Sequence, residues 1–168
     1  MNASRKIALV LLAIVLVAGL SGCGSIAKKA VEETTGVKVD ENSGSVEVEG
    51  KDGTKMTIGT EEGELPEGLP SDVPAYDGVN VEGGVFEIPE AKTFTFNIVT
   101  KDDVQTVADW YRSEFESRGW TIDTQGSLTV DESQMFHATK GDKLDMVATI
   151  AKDETGDTAI SCVVNEKK

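Results

Sequence analysis

The single histidine of this 168-residue chain, His137, is the first candidate for acid–base chemistry. A Ser-His-Asp hydrolase needs a base whose pKa lies near neutrality, and histidine usually supplies it. His137 lies in the strand-like run from Met135 to Thr139, and the sequence contains no Gly-x-Ser-x-Gly nucleophile motif. This context is more typical of a partly exposed sheet residue than of a catalyst.

Carboxylates are the abundant reactive groups, with 30 Asp and Glu against 16 Lys and Arg. Paired carboxylates can act as general acid and base, so a small envelope hydrolase that uses them in a cleft is one alternative function. The acidic turns at 40–44 and 153–157 could offer oxygens to calcium, which makes a cation-binding module another alternative. Neither turn has the EF-hand spacing, and solvated hairpin tips explain both more simply. The sequence therefore predicts no catalytic residue, no metal ligand and no cofactor.

The charge of the chain excludes one class of partner. A net charge of −14 and a pI near 4.4 repel phosphate backbones, and the sequence contains no basic patch that would overcome this repulsion. We therefore expect no nucleic-acid partner.

A predicted export signal precedes the first cysteine. Arg5 and Lys6 lead into the run Ile7–Leu20, which has no charged or polar side chain and is shorter than the roughly 20 apolar residues of a spanning helix. The run ends in Leu20-Ser21-Gly22-Cys23, which resembles the lipobox of bacterial lipoproteins. That resemblance implies a diacylglyceryl group on the Cys23 sulfur, further acylation such as palmitate, and cleavage after residue 22. The alternative is a signal anchor that keeps its helix and leaves Cys23 unmodified.

Lipidation at Cys23 has consequences for location and for redox chemistry. The protein would be exported and anchored to the outer face of the cytoplasmic membrane, or to the outer membrane where the host has one. Cys162 would then be the remaining thiol, which excludes an intramolecular disulfide. Because Cys162 lies in the apolar run from Ala159 to Val164, we expect a small buried side chain and not a reactive nucleophile.

The distribution of apolar residues divides the chain into four parts. Every aromatic residue lies at or after Tyr76, so the core is expected in an α+β domain over 76–168. Residues 61–75 contain three of the four prolines and are predicted to be a linker. Residues 23–60 are acidic, and their patterning predicts a short helix over 25–35 and a small β-meander, with a disordered tether as the alternative. Residues 1–22 are predicted to be the signal peptide.

One helix is expected to pack on a mostly antiparallel sheet in the C-terminal domain. The alternation of Phe94, Phe96 and Ile98 predicts a strand with one buried face. A single apolar stripe predicts a helix that begins with Thr100 as N-cap, places Asp102 and Asp103 in its first turn, and ends at Arg118. The stripe contains Val104, Val107, Ala108, Tyr111 and Phe115. Three further strands are expected to form a terminal meander, and one parallel β-α-β crossover is left open.

Two further features surround this helix. Trp110 lies off the stripe, so it either packs on the flank or is an exposed contact residue. The prolines from Pro66 onward, Tyr76, the Trp-Tyr pair and the terminal Gly119-Trp120 resemble a group of uncharacterised bacterial lipoproteins. This resemblance implies no activity. The sequence favours a lipid-anchored, non-enzymatic interaction module, with the membrane and an envelope protein or wall component as partners.

Overall fold

A computed structural model describes residues 38–42, 45–50, 53–59, 63–130 and 133–168. Within these residues the chain forms ten strands and one helix. In chain order they are β1 (Lys38–Asn42), β2 (Ser45–Glu49), β3 (Lys55–Ile58), β4 (Val79–Ile88), β5 (Ala91–Thr100), α1 (Val104–Ser117), β6 (Thr121–Ile122), β7 (Leu128–Val130), β8 (Ser133–Lys140), β9 (Leu144–Lys152) and β10 (Thr158–Lys167).

The strands form one antiparallel sheet. Its order is β1-β2-β3-β4-β5-β10-β9-β8-β6, and β7 pairs with β8. Every ladder of the described residues is antiparallel, which confirms the α+β prediction and excludes a parallel crossover within them. The chain leaves β5 through α1 and returns at β6, on the far side of β10, β9 and β8, so the helix crosses one face of the sheet.

The N-terminal strands continue this sheet. Strand β3 pairs with β4, and β2 and β1 follow outward from it. The predicted helix over 25–35 lies outside the described residues, and so do the predicted signal peptide and Cys23. A separate N-terminal meander remains a prediction.

The core lies between α1 and one face of strands β5, β10, β9 and β8. The predicted alternation of β5 is confirmed, because Phe94, Phe96 and Ile98 are buried. Each of these residues pairs directly with a buried residue of β10, and β9 extends the same rows across the sheet. The β10 and β9 members of these rows are Ile160, Cys162, Val164, Met146, Ala148 and Ile150. The last three strands form the predicted meander.

Helix α1 buries the predicted stripe completely, but it begins later than predicted. The N-cap is Asp103, whose Oδ1 accepts a hydrogen bond from the Thr106 backbone N–H at 2.9 Å. The prediction of Thr100 as N-cap, with Asp102 and Asp103 in the first turn, was therefore wrong. Thr100 is the last residue of β5, where it pairs with Thr158, and two further residues separate it from the N-cap.

The end of α1 follows the prediction. Arg118 is the C-cap, and Gly119 adopts a φ of 73°, the left-handed region that favours glycine. The Gly119 N–H donates to the Glu116 carbonyl and the Trp120 N–H donates to the Phe115 carbonyl, which is the Schellman pattern. The Trp120 ring then packs on Phe115 with centroids 5.7 Å apart. The described part of the chain contains no helix with the length and apolar character that crossing a bilayer requires.

Candidate functional site

Residues 63–76, which we call the lead segment, lie against the C-terminal domain. Val73 and Pro74 are buried, and the Trp120 Nε1–H donates to the Asp72 carbonyl at 3.0 Å. The Lys140 ammonium also lies 2.8 Å from the Asp72 carboxylate. Most of the predicted linker is thus attached to the domain that it precedes, while the domain boundary at residue 75 remains a prediction. The lead segment therefore forms one wall of a surface groove.

The groove lies between the lead segment, the end of β5, the loop that follows β5 and Trp110 in the middle of α1. Its volume is about 520 Å³, within the range of small-molecule sites. The lining residues combine apolar, aromatic and acidic side chains with two glycines. They are Gly63, Leu65, Ala75, Tyr76, Asp77, Gly78, Ile98, Asp102 and Trp110.

A hydrogen bond joins the two sides of the groove. The Tyr76 hydroxyl donates to Asp102 Oδ2 at 2.7 Å, and the Thr100 hydroxyl donates to the same oxygen at 3.3 Å. The hydrogen bond to Asp102, together with partial burial and nearby carboxylates, raises the pKa of Tyr76 to about 12. Tyr76 therefore keeps its proton at neutral pH, so it can orient Asp102 but cannot act as a base.

An aromatic series fixes the position of Trp110. Its ring meets Tyr76 and Tyr111 edge to face, with both centroid distances 5.0 Å. Such edge-to-face pairs contribute about 0.5–1.5 kcal/mol beyond their burial. Trp110 is half-buried, so it packs on the flank of the helix and is not an exposed contact residue. The lead segment and the helix core thus hold this ring at the groove.

The loop that carries Asp102 is tied to the β9–β10 turn. The buried Thr158 hydroxyl donates to the Asp102 carbonyl at 2.6 Å. The Lys101 ammonium lies 2.6 Å from Asp157 Oδ2 in the same turn. These contacts fix the backbone at Asp102, so its carboxylate enters the groove from an ordered position.

Asp102 and Tyr76 were not predicted as site residues. They lie 26 positions apart and meet because the lead segment packs on the domain, a contact that no local pattern indicates. The one feature of the sequence that pointed to this site was Trp110, an aromatic residue that lies off the buried stripe of α1.

The comparisons with known proteins bear on the part of the chain that contains one side of this groove. A family model described as START domain-like matches residues 85–156. The matched region is similar to that family and contains Ile98, Asp102 and Trp110, whereas the lead segment precedes it. No curated protein and no solved structure matches the chain. The similarity is compatible with a ligand-binding module.

Cys162 has the environment predicted for it. Its side chain is buried, and its Sγ lies 3.6 Å from the Tyr111 hydroxyl. Burial raises the pKa of the Cys162 thiol to about 12, so the thiolate that nucleophilic attack requires does not form near neutral pH.

His137 is half-buried on β8, as expected, but it has two carboxylate partners that the sequence did not reveal. Its Nε2 lies 2.7 Å from Asp145 Oδ2, and its Nδ1 lies 3.3 Å from Asp123 Oδ2. The loop that carries Asp123 packs so closely that a Cβ at Gly126 would lie 2.8 Å from Nδ1. A neutral imidazole has one N–H, so both carboxylates receive a hydrogen bond only from the protonated ring.

This geometry predicts a pH-dependent contribution to stability. The hydrogen bond to Asp145 chiefly raises the pKa of His137, burial opposes this effect, and Asp123 adds to it. Because the folded pKa exceeds the unfolded value near 6.5, the stabilisation is complete below about pH 6.5 and is lost as the pH rises through the folded pKa. Urea unfolding between about pH 5.5 and pH 8.5 should show this loss in the wild type and not in His137→Gln. Equal pH profiles for the two proteins would contradict it.

The acidic turn at 153–157 is a hairpin tip in which Asp153 and Asp157 have internal partners. Asp153 Oδ1 accepts the backbone N–H groups of Thr155 and Asp157, at 2.8 and 3.0 Å. Asp157 pairs with Lys101. The other acidic turn, at 40–44, lies partly outside the described residues.

Proposed function

We propose that this protein is a lipid-anchored, non-enzymatic binding module that captures a small ligand, or a small group of an envelope or wall partner, in the groove. The groove carries this proposal. It combines an apolar wall, an oriented carboxylate and a fixed indole ring in a volume of about 520 Å³. Binding pockets typically consist of such an apolar lining with a few convergent polar groups.

The chemistry around the groove supports binding over catalysis. Tyr76 keeps its proton, and the Cys162 thiol is buried beneath Tyr111 and is not among the residues that line the groove. His137 is likewise not a lining residue, and it is engaged with Asp123 and Asp145. The similarity of residues 85–156 to a START domain-like family agrees with a ligand-binding role.

Anchoring at Cys23 would place the groove outside the cytoplasm. The lipobox-like sequence from Leu20 to Cys23 supports this part of the proposal. The module would then sample ligands at the outer surface of a membrane or in the adjacent wall. The host determines which membrane it occupies.

Binding in the groove can be tested with a small-molecule library that contains cationic, neutral and anionic members. Chemical-shift mapping on the purified protein should show hits that perturb the Trp110 indole and the backbone of residues 75–78. The same hits should weaken about tenfold in Trp110→Leu, because the ring that closes one side of the groove is lost. Hits that cluster elsewhere, or a library without any hit, would overturn the proposal.

A further inference from the structure

We propose, resting on the function above, that the ligand of the groove carries an ammonium group on an apolar body. Two carboxylates, Asp77 and Asp102, line the groove, and the described residues that line it include no Lys, Arg or His. An anionic ligand would therefore meet two uncompensated like charges, whereas a cation would meet two opposite ones.

The hydrogen-bond pattern leaves acceptors available to such a ligand. The Tyr76 hydroxyl directs its proton to Asp102 Oδ2, so lone pairs of the tyrosine oxygen remain available. The hydrogen bonds that the Asp102 carboxylate accepts from Tyr76 and Thr100 both go to Oδ2. An ammonium group has donors and no acceptor, so it fits a site that presents acceptors from two neighbouring side chains.

The aromatic rings favour the same charge. Cations are attracted to the faces of tryptophan and tyrosine rings, and the attraction strengthens when water is excluded. Trp110 and Tyr76 are locked edge to face beside Asp102, so the rings and the carboxylate act on one region of the groove.

The rest of the lining determines the body of the ligand. Leu65, Ala75 and Ile98 contribute apolar surface to the same groove. Leu65 is 40% exposed, so an apolar group placed on it would remove hydrophobic surface from water. A small hydrated metal ion would leave this surface uncovered, so the structure favours an organic amine.

Three probes of nearly equal shape test the charge of the ligand: phenethylammonium, phenethyl alcohol and 3-phenylpropionate. Each is titrated into the purified protein at neutral pH and low salt, and the dissociation constant is taken from the shift of the Trp110 indole resonance. We expect phenethylammonium to bind at least about fivefold more tightly than the alcohol, and the carboxylate to bind most weakly.

Asp102→Asn and Asp77→Asn test whether the groove carboxylates cause this preference. Asparagine at 102 keeps an oxygen that can accept from Tyr76 while removing the charge, so we expect the ammonium-to-alcohol ratio to fall about fivefold or more. Glu116→Gln is the control, because it changes the net charge by the same amount at a residue of α1 that does not line the groove. It should leave the ammonium-to-alcohol ratio unchanged. Asp77→Asn leaves the acceptor of the Tyr76 hydroxyl in place, so it provides the same test if Asp102→Asn fails to fold.

The outcomes separate the two proposals. The charge assignment is supported if the wild type prefers the ammonium probe, if Asp102→Asn or Asp77→Asn abolishes this preference, and if Glu116→Gln retains it. Equal or tighter binding of the alcohol or the carboxylate at the Trp110 indole overturns the charge assignment and leaves the groove as a binding site. Failure of all three probes to shift that resonance overturns the charge assignment, and the broader library then decides the proposed function separately.

Discussion

Replacing Phe115 with alanine is expected to lower the free energy of unfolding by about 3–5 kcal/mol. The Phe115 side chain is fully buried in α1 and contacts the rings of Tyr111, Trp120 and Phe136, with centroid distances of 5.7, 5.7 and 6.1 Å. The substitution would leave a cavity at the point where the helix, its C-terminal stop and β8 meet. Since a domain of this size has a stability of about 5–15 kcal/mol, the loss removes a large fraction of it.

Phe86 provides the matched control for this experiment. It lies on β4 and remains 39% exposed, so Phe86→Ala should cost far less than Phe115→Ala. Urea denaturation of both variants and the wild type, followed by tryptophan fluorescence, measures the difference. Equal losses would show that the aromatic cluster around Phe115 is not the main source of stability.

Replacing Cys23 with serine is expected to release the protein from membranes or to block its maturation. Two or more acyl chains on one residue hold a protein stably, whereas a single chain holds it only marginally. Serine lacks the sulfur that the lipid modification requires, so the variant would carry no diacylglyceryl group. Membrane fractionation together with incorporation of labelled palmitate measures the effect.

Cys162→Ala is the control for anchoring, because it removes the other cysteine of the chain. Cys162 is buried in β10, so its loss should leave both fractionation and lipid labelling as in the wild type. Absent labelling of the wild type, combined with unchanged fractionation of Cys23→Ser, would contradict lipidation. The membrane association would then have to come from an uncleaved signal anchor.

The predictions that succeeded rest on short-range periodicity. The stripe from Val104 to Phe115 repeats with the period of a helix, and the alternation of Phe94, Phe96 and Ile98 repeats with the period of a strand. Each pattern shows which face of its helix or strand is buried, and that face is the same whichever element covers it. They therefore indicated the buried faces without any knowledge of the neighbours.

The start of α1 shows where local reasoning failed. Thr100 and Asp103 are both good N-cap residues, so their side chains alone could not decide between them. The backbone after Thr100 decided it: Thr100 ends β5 in a pair with Thr158, and the first helical residue is Val104, directly after Asp103. The strand order could not be predicted from the sequence for the same reason, since it depends on the pairing of β5 with β10, which are far apart in the chain.

The sequence by itself determined the acidic character of this protein, the faces of its main strand and helix, and the glycine that ends the helix. These properties depend on composition, on period or on the φ of one residue. Only the tertiary structure decided the groove and the partners of His137. Tyr76 meets Asp102, and His137 meets Asp123 and Asp145, because distant segments pack together. Such contacts follow from the packing of the whole domain, and no local pattern in the chain encodes them.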